Sequence, residues 1–281
     1  LSNKFWSSND DILLLMPSSK NLSYLPNIDD NLNQIKLKAE KEVKLWVKAW
    51  QSTDKNIIQT TFDPLQNSNF GNKDGVKIGG LLHYIRLVNS ILIEKKPSNV
   101  DLIDIEHLLI NTRNTKWNDN KMFSLAKQPF SMNTIPHLCN EISSNISGIL
   151  GLSKKVVVLD LDNTLWGGII GDDGIENIKL GDETPEGESF VEFQKYLKSL
   201  SNKGIILCVC SKNNHKTAME VFLKHKKMEL KKNDISVFIA NFNDKASNIK
   251  KISKALNLNL DSFLFIDDSN FECELVKKKI T

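Results

Sequence analysis

A single stretch of the chain predicts both a structural element and a chemistry: Val156-Val157-Val158-Leu159-Asp160-Leu161-Asp162-Asn163-Thr164-Leu165-Trp166-Gly167-Gly168. The apolar, mostly β-branched run at its start predicts a buried strand. Two aspartates follow at spacing i, i+2, and an extended backbone turns both side chains the same way. Carboxylates this close are stable only with a cation or a shared proton. The stretch therefore predicts a magnesium-assisted phosphoryl-transfer site, with an acidic turn after an edge strand as the alternative.

Three apolar runs downstream predict further strands, and polar side chains follow each of them. They are Ile205–Cys210, followed by Ser211-Lys212-Asn213; Val237–Ala240, followed by Lys245; and Phe263–Ile266, followed by Asp267-Asp268. Strands that alternate with helices predict a parallel sheet. Ligands bind beyond the carboxyl ends of such strands, so we expect these side chains to share one edge.

These four strand ends resemble, in order, the four motifs of the haloacid dehalogenase (HAD) superfamily: Asp-x-Asp, Ser or Thr, Lys, and Asp-Asp. The resemblance implies an α/β fold with a HAD-like Rossmannoid parallel sheet. Taken alone, Ser211 is more typical of a helix N-cap and Lys245 of a solvated helix. Their place in the set of four favours functional roles instead.

Longer segments, within about residues 100–276, are similar to the FkbH-like branch of that superfamily. They are Leu161–Gly168, Ile170–Gly174, Pro185–Glu188, Cys210–Asn214 and Asn241–Lys245. Members of that branch load a glyceryl unit from 1,3-bisphosphoglycerate on the phosphopantetheine thiol of an acyl carrier protein, remove phosphate, and supply polyketide assembly. The resemblance thus implies a bifunctional glyceryl transferase and phosphatase. A plain small-molecule phosphatase of the same fold and a non-catalytic docking module of a synthase are the alternatives.

The resemblance also implies roles for the acidic residues. Asp160 is the expected nucleophile toward phosphorus, and Asp162 is the expected general acid and base. Mg²⁺ is expected on Asp160, the backbone carbonyl of Asp162 and Asp267, because that ion prefers oxygen ligands. Asp268 is expected to bind or orient the ion through water.

The remaining site residues are expected to contact substrate. Ser211 would hydrogen-bond a phosphoryl oxygen, and Lys245 would neutralise phosphate and keep the nucleophile ionised. Lys212 and Asn213 complete the expected phosphate-binding segment. Trp166 could either pack the loop after the first motif as a core residue or form a wall of the substrate pocket.

Cys210 matches the cysteine of the family's Cys-Ser-Lys-Asn segment, and that family is thought to carry the acyl group on this cysteine. Lys212, Lys245 and the metal are expected to favour its thiolate. The alternative is a buried structural thiol, because strand alternation places Cys210 opposite Ser211. Cys208 shares the strand face of Cys210 and is expected in the core.

The chain departs from the family after the second Asp pair. The family usually has Asn-Pro-x-Glu-Arg there, whereas this chain has Ser269-Asn270-Phe271-Glu272-Cys273. The missing arginine removes a bidentate anion clamp, a role that could pass to Lys212 or His215. Cys273 is a second, lower-ranked candidate thiol.

Residues 1–150 are predicted to form a separate α/β domain, which the family resemblance assigns to an incomplete SGNH-hydrolase-like fold. The predicted strands are Asp11–Met16, Ile57–Thr61 and Val100–Ile105, and the predicted helices are Ile35–Trp50, Gly79–Glu94 and Pro136–Leu150. Because no Ser-His-Asp set can be assembled, we expect a scaffold or recognition surface. Trp117-Asn118-Asp119 matches a recurrent family segment.

Residues 151–281 are predicted to form the HAD-like catalytic domain. A Gly-turned β-hairpin is expected over residues 169–180 as a short flap, and Glu186–Ser201 is predicted to be helical, ending near Gly204. The chain starts without Met and stops soon after the last motif, so we expect a segment of a longer protein that lacks final elements.

Composition limits the function classes. The 281 residues carry a net charge of only +3, which does not indicate nucleic-acid binding, although a mildly basic surface suits an acidic carrier protein. No apolar run is long enough to span a membrane. The four cysteines are too few and too irregularly spaced for a disulfide framework, which favours a cytoplasmic protein with reduced thiols.

Overall fold

The structure is a computed structural model that describes residues 11–64, 70–112 and 116–280. It divides into two compact units, Leu1–Gly151 and Leu152–Thr281. Each unit contains a parallel sheet with helices, which confirms the predicted α/β class with parallel sheets. Within the described residues, no helix has the length and apolarity needed to cross a bilayer.

The first unit is built on three parallel strands in the order β1-β2-β3. The strands are β1 (Ile12–Leu15), β2 (Asn56–Thr60) and β3 (Val100–Ile103). The helices are α1 (Leu32–Trp50), α2 (Leu81–Lys95), α3 (Ile105–Asn111), α4 (Asn120–Ala126) and α5 (Ile135–Ile149), with 3-10 turns at Ser19–Asn21, Gly71–Lys73 and Met132–Thr134. The predicted strands and helices of this unit are confirmed to within a few residues.

One predicted boundary in the first unit is wrong for a clear reason. Strand β3 ends at Ile103 rather than Ile105, because Asp104 caps the helix α3. Its Oδ1 accepts hydrogen bonds from the backbone amides of Glu106 and His107, at 2.9 and 3.2 Å. This capping bond turns the chain out of the extended conformation.

The second unit has four parallel strands in the order β6-β5-β4-β7. They are β4 (Val156–Leu159), β5 (Ile206–Ser211), β6 (Ile235–Ala240) and β7 (Phe263–Ile266). The helices are α6 (Ile170–Asp173), α7 (Pro185–Asn202), α8 (His215–Lys224), α9 (Lys245–Leu256) and α10 (Asn270–Ile280), with 3-10 turns at Lys232–Asp234 and Leu260–Ser262. All four predicted strands and the predicted helix ending before Gly204 are confirmed.

The inner strand β4 is buried along its whole length. Its side chains alternate between two hydrophobic clusters, with Val157 and Leu159 in one and Val156 and Val158 in the other. Burial on both faces explains why the run is continuously apolar rather than alternating with polar residues. The charged residues that follow β4 are thus placed at the rim of a rigid sheet.

The predicted β-hairpin over residues 169–180 is wrong. The segment contains the short helix α6, and its sheet-like pairing is an isolated antiparallel bridge between Gly167 and Lys179. Asp173 favours the helical turn because its Oδ2 accepts the Ile169 amide at 2.7 Å. Ile170 and Ile178 then anchor the segment in the hydrophobic core.

Candidate active site

Strand register brings the first and last motifs together. Leu159, the last residue of β4, lies opposite Ile266 of β7 and Val209 of β5. The backbone amide of Asp160 donates to the carbonyl of Ile266 at 2.9 Å, which extends the pairing by one residue. Asp160 and Asp267 are therefore neighbours at one edge of the sheet.

Three carboxylates meet at this edge: those of Asp160, Asp267 and Asp268. One oxygen of each lies within 4.8 Å of the others, and we call these three residues the acidic cluster. Asp160 is 6% exposed, and the side chain of Asp267 is fully buried, so water solvates their charges poorly. Such crowding requires positive charge close by.

Lys245 supplies part of that charge. It is the first residue of α9, is 4% exposed, and places Nζ 2.5 Å from Asp267 Oδ2 and 3.0 Å from Asp160 Oδ1. Burial lowers the pKa of Lys245, but the charges and hydrogen bonds of both aspartates outweigh that effect and raise its pKa above the ordinary value. Lys245 therefore stays charged, and it is not the solvated helix residue of the alternative interpretation.

Burial also raises the pKa of the Asp160 carboxyl, and Lys245 together with a hydrogen bond from Ser211 opposes the shift. The lysine alone does not compensate the loss of water around this group. A second cation at the cluster would lower the free energy of the ionised form further.

The acidic cluster fits a divalent cation. Its three carboxylates outnumber the ammonium of Lys245, which pairs with Asp160 and Asp267. Hard carboxylate oxygens are the ligands that Mg²⁺ prefers. Of the expected ligands, the side chains of Asp160 and Asp267 meet here with that of Asp268, whereas the Asp162 side chain lies outside the cluster.

The Asp162 carboxylate is instead held by three donors. Its Oδ1 accepts Trp166 Nε1 at 2.9 Å and the Ile170 amide at 3.1 Å, and its Oδ2 accepts Asn213 Nδ2 at 2.9 Å. The side chain is half-buried and therefore remains accessible from solvent. This leaves Asp162 suited to proton transfer.

Ser211 and Asn213 form one polar unit next to the aspartates. Ser211 is the last residue of β5 and is 2% exposed, while Asn214 rather than Ser211 caps the following helix α8. Asn213 Nδ2 also hydrogen-bonds Ser211 Oγ at 3.1 Å. Ser211 is thus hydrogen-bonded to Asp160 and is linked to Asp162 through Asn213.

Trp166 is a core residue, which decides between the two roles considered for it. It is fully buried and packs its ring edge-on against Phe222, with centroids 6.2 Å apart. A fully buried indole cannot form the wall of an open substrate pocket, so the expected substrate contact is wrong. Its contact with the site is the hydrogen bond to Asp162.

Lys212 is paired rather than free. Its Nζ lies 2.5 Å from Glu272 Oε1, although the lysine side chain is 44% exposed. Glu272 is the one residue retained from the Asn-Pro-x-Glu-Arg segment that usually follows the second Asp pair in the family. Its Oε2 is buried with no hydrogen-bond partner. His215 packs edge-on against Phe238 with ring centroids 5.4 Å apart. Of the two residues expected to replace the missing arginine, Lys212 is thus the one oriented by an acidic partner.

The expectation of a thiolate at Cys210 is wrong for the structure as it stands. Cys210 is fully buried in the hydrophobic cluster on the sheet face opposite Ser211, beside the carbonyl of Lys245, with Sγ 3.7 Å from that oxygen. Burial raises the pKa of the thiol to about 12, and Lys245 only partly opposes this. Cys208 is buried on the same face, as predicted.

Cys273 is the more accessible thiol near the site. It is half-buried, and its Sγ lies 3.7 Å from the carbonyl oxygen of Asp267. Burial and the charge of Asp267 raise the pKa of this thiol too. Neither thiol is activated as the sequence predicted.

The first unit also has a carboxylate at the edge of its sheet, one that the sequence analysis did not single out. Asp63 follows β2 and is 2% exposed. Its Oδ1 accepts the Ser19 amide at 2.7 Å and its Oδ2 accepts Trp117 Nε1 at 3.1 Å. Asn118, the neighbour of Trp117, donates to the carbonyl of Pro64 at 3.2 Å. Trp117-Asn118-Asp119 was the only signal for this network, whose residues join loops rather than form a nucleophile.

Comparison with known families decides where the chain belongs. The model of the FkbH N-terminal domain matches residues 2–147, which is more than half of the chain. The chain belongs to the FkbH family. This confirms the resemblance deduced from the motifs, although the family model matches the first unit and those motifs lie mostly in the second.

A solved structure similar to this FkbH chain covers both units. It is the N-terminal part of the protein BF1531 from Bacteroides fragilis, which contains a phosphatase domain and is complexed with Mg. The two share 29% identity with a TM-score of 0.86, over 96% of this chain and 72% of that one. No curated protein gives a significant match.

Proposed function

We propose that the second unit is a HAD-like, magnesium-dependent phosphohydrolase that uses Asp160 as its nucleophile. The main evidence is the acidic cluster together with Lys245. Three carboxylates and one ammonium from the ends of separate strands meet there. The phosphatase domain of the Mg-bound structural neighbour supports the same reaction class. The intact cluster argues against a docking module that has lost its activity.

In the first step, a carboxylate oxygen of Asp160 attacks phosphorus as the bond from phosphorus to the leaving oxygen breaks. Lys245, 3.0 Å from Asp160, neutralises charge on the phosphoryl group, and Ser211 donates to one of its oxygens. Mg²⁺, held by Asp160, Asp267 and Asp268 and by the predicted Asp162 carbonyl, would supply charge stabilisation in the transition state.

Asp162 handles the protons in both steps. It gives a proton to the leaving oxygen in the first step and takes one from the attacking water in the second. That water forms a new bond to phosphorus as the bond to Asp160 breaks, which releases phosphate and restores the free carboxylate. The three hydrogen bonds on Asp162 hold it in place for both transfers.

Phosphate release from aryl and acyl phosphates, with and without Mg²⁺, tests this proposal. We expect Asp160→Asn to abolish release while the protein stays folded. Asp261→Asn is the matched control, because Asp261 is exposed and precedes β7 at the opposite edge of the same sheet. Release that persists at the normal rate in Asp160→Asn, or that needs no metal, would reject the assignment.

We further propose that the substrate is 1,3-bisphosphoglycerate or a related three-carbon acyl phosphate, and that the glyceryl unit passes to the thiol of an acyl carrier protein for polyketide assembly. Family membership and the Cys210–Asn214 segment support this step. The Lys212–Glu272 pair offers an oriented cation for the acid's second anionic group. The first unit is proposed as a scaffold or recognition surface.

The intact mass of carrier protein, incubated with 1,3-bisphosphoglycerate and Mg²⁺, tests the transfer. A glyceryl mass gain supports it, and Asp160→Asn should leave the acyl group phosphorylated. Cys210→Ala, matched with Cys208→Ala on the same strand face, asks whether the thiol carries the acyl group. No mass gain on the carrier rejects glyceryl transfer.

A plain phosphatase remains the second candidate because Cys210 is fully buried with a raised pKa. In that case phosphate release needs no thiol, and Cys210→Ala turns over normally. A trapped thioester on this protein, located by peptide mass spectrometry, separates the two functions because it identifies both the acyl group and the cysteine.

A further inference from the structure

Two donors from the loop that follows Asp162 hold its carboxylate in place, and one of them is the side chain of a core residue. Trp166 Nε1 and the backbone amide of Ile170 both donate to Oδ1, at 2.9 and 3.1 Å. The other oxygen, Oδ2, has Asn213 Nδ2 as a donor at 2.9 Å. The two oxygens of one carboxylate are therefore unequal, with Oδ1 accepting twice and Oδ2 once.

The indole that makes this contact is enclosed by the hydrophobic core. Trp166 is fully buried, and its ring packs edge-on against Phe222, which in turn packs edge-on against Phe238 with centroids 5.3 Å apart. A buried indole N–H needs an acceptor, and here the acceptor is a half-buried acid at the rim of the site. A rigid core residue thus sets the position of a group that must exchange protons with substrate.

We propose that Trp166 is a positioning residue that, with the Ile170 amide, occupies Oδ1 of Asp162 and so directs proton transfer to the leaving group through Oδ2. This rests on the proposed phosphohydrolase function and adds a determinant of it. A carboxylic acid hydrogen binds at the oxygen with spare acceptor capacity, because the other oxygen already faces two donors. Without the indole, Asp162 can rotate, and the acidic oxygen is no longer aimed at the leaving group.

Leaving-group dependence separates positioning from packing. p-Nitrophenyl phosphate has a weakly basic leaving oxygen that needs little protonation, whereas the leaving oxygen of phenyl phosphate is more basic and relies on the acid. In the full chain, we expect Trp166→Phe to lower kcat on phenyl phosphate about 30-fold and on p-nitrophenyl phosphate less than about 3-fold, with KM nearly unchanged. Phe222→Leu is the control, because it loosens the same packing without removing a donor, and it should affect both esters equally.

A second replacement keeps the test decisive if Trp166→Phe folds poorly. 3-Benzothienylalanine at position 166 matches the size and shape of the indole and lacks its N–H, and it should reproduce the selective loss on phenyl phosphate. An equal loss on both esters in these two proteins, or no loss in either, overturns the positioning role while leaving the phosphohydrolase intact. A wild-type protein that hydrolyses neither ester overturns the proposed function and this inference with it.

Discussion

Asp63 in the first unit and Asp160 in the second both lie just beyond the carboxyl end of an inner parallel strand, and both are buried, at 2% and 6% exposure. Asp63 accepts a neutral N–H on each oxygen, from Ser19 and Trp117. Asp160 instead faces further carboxylates, and the partner of its Oδ1 is the charged ammonium of Lys245 at 3.0 Å.

The difference shows that a strand-end position is not enough to make a reactive group. At Asp63, a neutral N–H donor satisfies each carboxylate oxygen, so this side chain needs no cation and has a structural role. Crowded like charges at Asp160 are stabilised only by positive charge, which favours a cation at this site.

The largest effect is expected at Lys245. Lys245→Met should lower phosphate release about 10²- to 10³-fold, because it removes the charge that faces the transferring phosphoryl group. The unpaired carboxylates should also make the variant's melting temperature rise more on adding Mg²⁺ than that of the wild type. Lys212→Met is the control, since Lys212 pairs with Glu272 rather than with the acidic cluster, and this variant should show no such gain. Equal metal-induced shifts in wild type and Lys245→Met would contradict the charge-crowding account.

A pure stability effect is expected at Asp63. Asp63→Asn turns one accepting oxygen into a donor that opposes either Ser19 N–H or Trp117 Nε1–H, which should cost about 1–3 kcal/mol of unfolding free energy. Urea unfolding followed by tryptophan fluorescence measures this loss. Phosphate release per folded molecule should stay at the wild-type level, with an unchanged response to Mg²⁺. If Asp63→Asn changed the Mg²⁺ dependence of phosphate release, the contrast between a structural Asp63 and a metal-binding Asp160 would be wrong.

A smaller, binding-specific effect is expected at Asp268. It belongs to the acidic cluster but is exposed, so Asp268→Asn should leave stability within about 0.5 kcal/mol. Mg²⁺ affinity, measured by activation of phosphate release, should fall about tenfold because one carboxylate charge is lost. Unchanged metal dependence would place the ion away from this cluster.

The smallest effect is expected at Asp244, a carboxylate of the second unit that resembles Asp63 in having a donor on each oxygen. It caps α9 by accepting Ser247 N–H at 3.0 Å and pairs with Lys279 Nζ at 2.9 Å. Hydrogen bonds from Lys279 and Ser247 lower its pKa from 3.8 to about 2. Asp244→Ala should therefore cost about 1 kcal/mol at neutral pH.

The sign of the pH dependence at Asp244 follows from that lowered pKa. The ionised form is favoured by the folded state, so its contribution is complete above pH 3.8 and is lost as the pH falls toward about 2. The gap in unfolding free energy between wild type and Asp244→Ala should narrow over that range. Asp244→Asn, which keeps a capping oxygen, should lose less than Asp244→Ala at neutral pH. A gap that widens in acid would contradict this assignment.

The sequence predicted the strands and the acidic edge for a physical reason. Doubly buried strands such as Val156–Leu159 must be continuously apolar, and parallel strands end on the same side. Asp160, Lys245 and Asp267 could thus be placed together from order alone. The partner of each carboxylate oxygen could not be predicted, because it depends on loops, as where the Ser269 amide donates to Asp267 Oδ1.

The misses have two causes, which are contacts between residues distant in sequence and hydrogen bonds between a side chain and a nearby amide. The hairpin prediction failed because Asp173 satisfies the Ile169 amide locally. The pairing of Lys212 with Glu272 was not predicted, because it depends on a contact across the fold. The alternation of side chains along the strand correctly indicated that Cys210 could be a buried structural thiol. The family resemblance favoured a reactive, acyl-carrying cysteine instead.

The ion pairs of Lys245 affect the order in which structure and activity form during folding. Its ammonium pairs with Asp160, which follows β4, and with Asp267, which follows β7. Lys245 itself begins the helix after β6. Three segments that are separate in the sequence must therefore come together before the site is complete. Contacts of such long sequence separation are costly in loop-closure entropy and form late. During refolding, helical circular dichroism should recover before turnover does, and turnover is the stricter reporter of the finished native state.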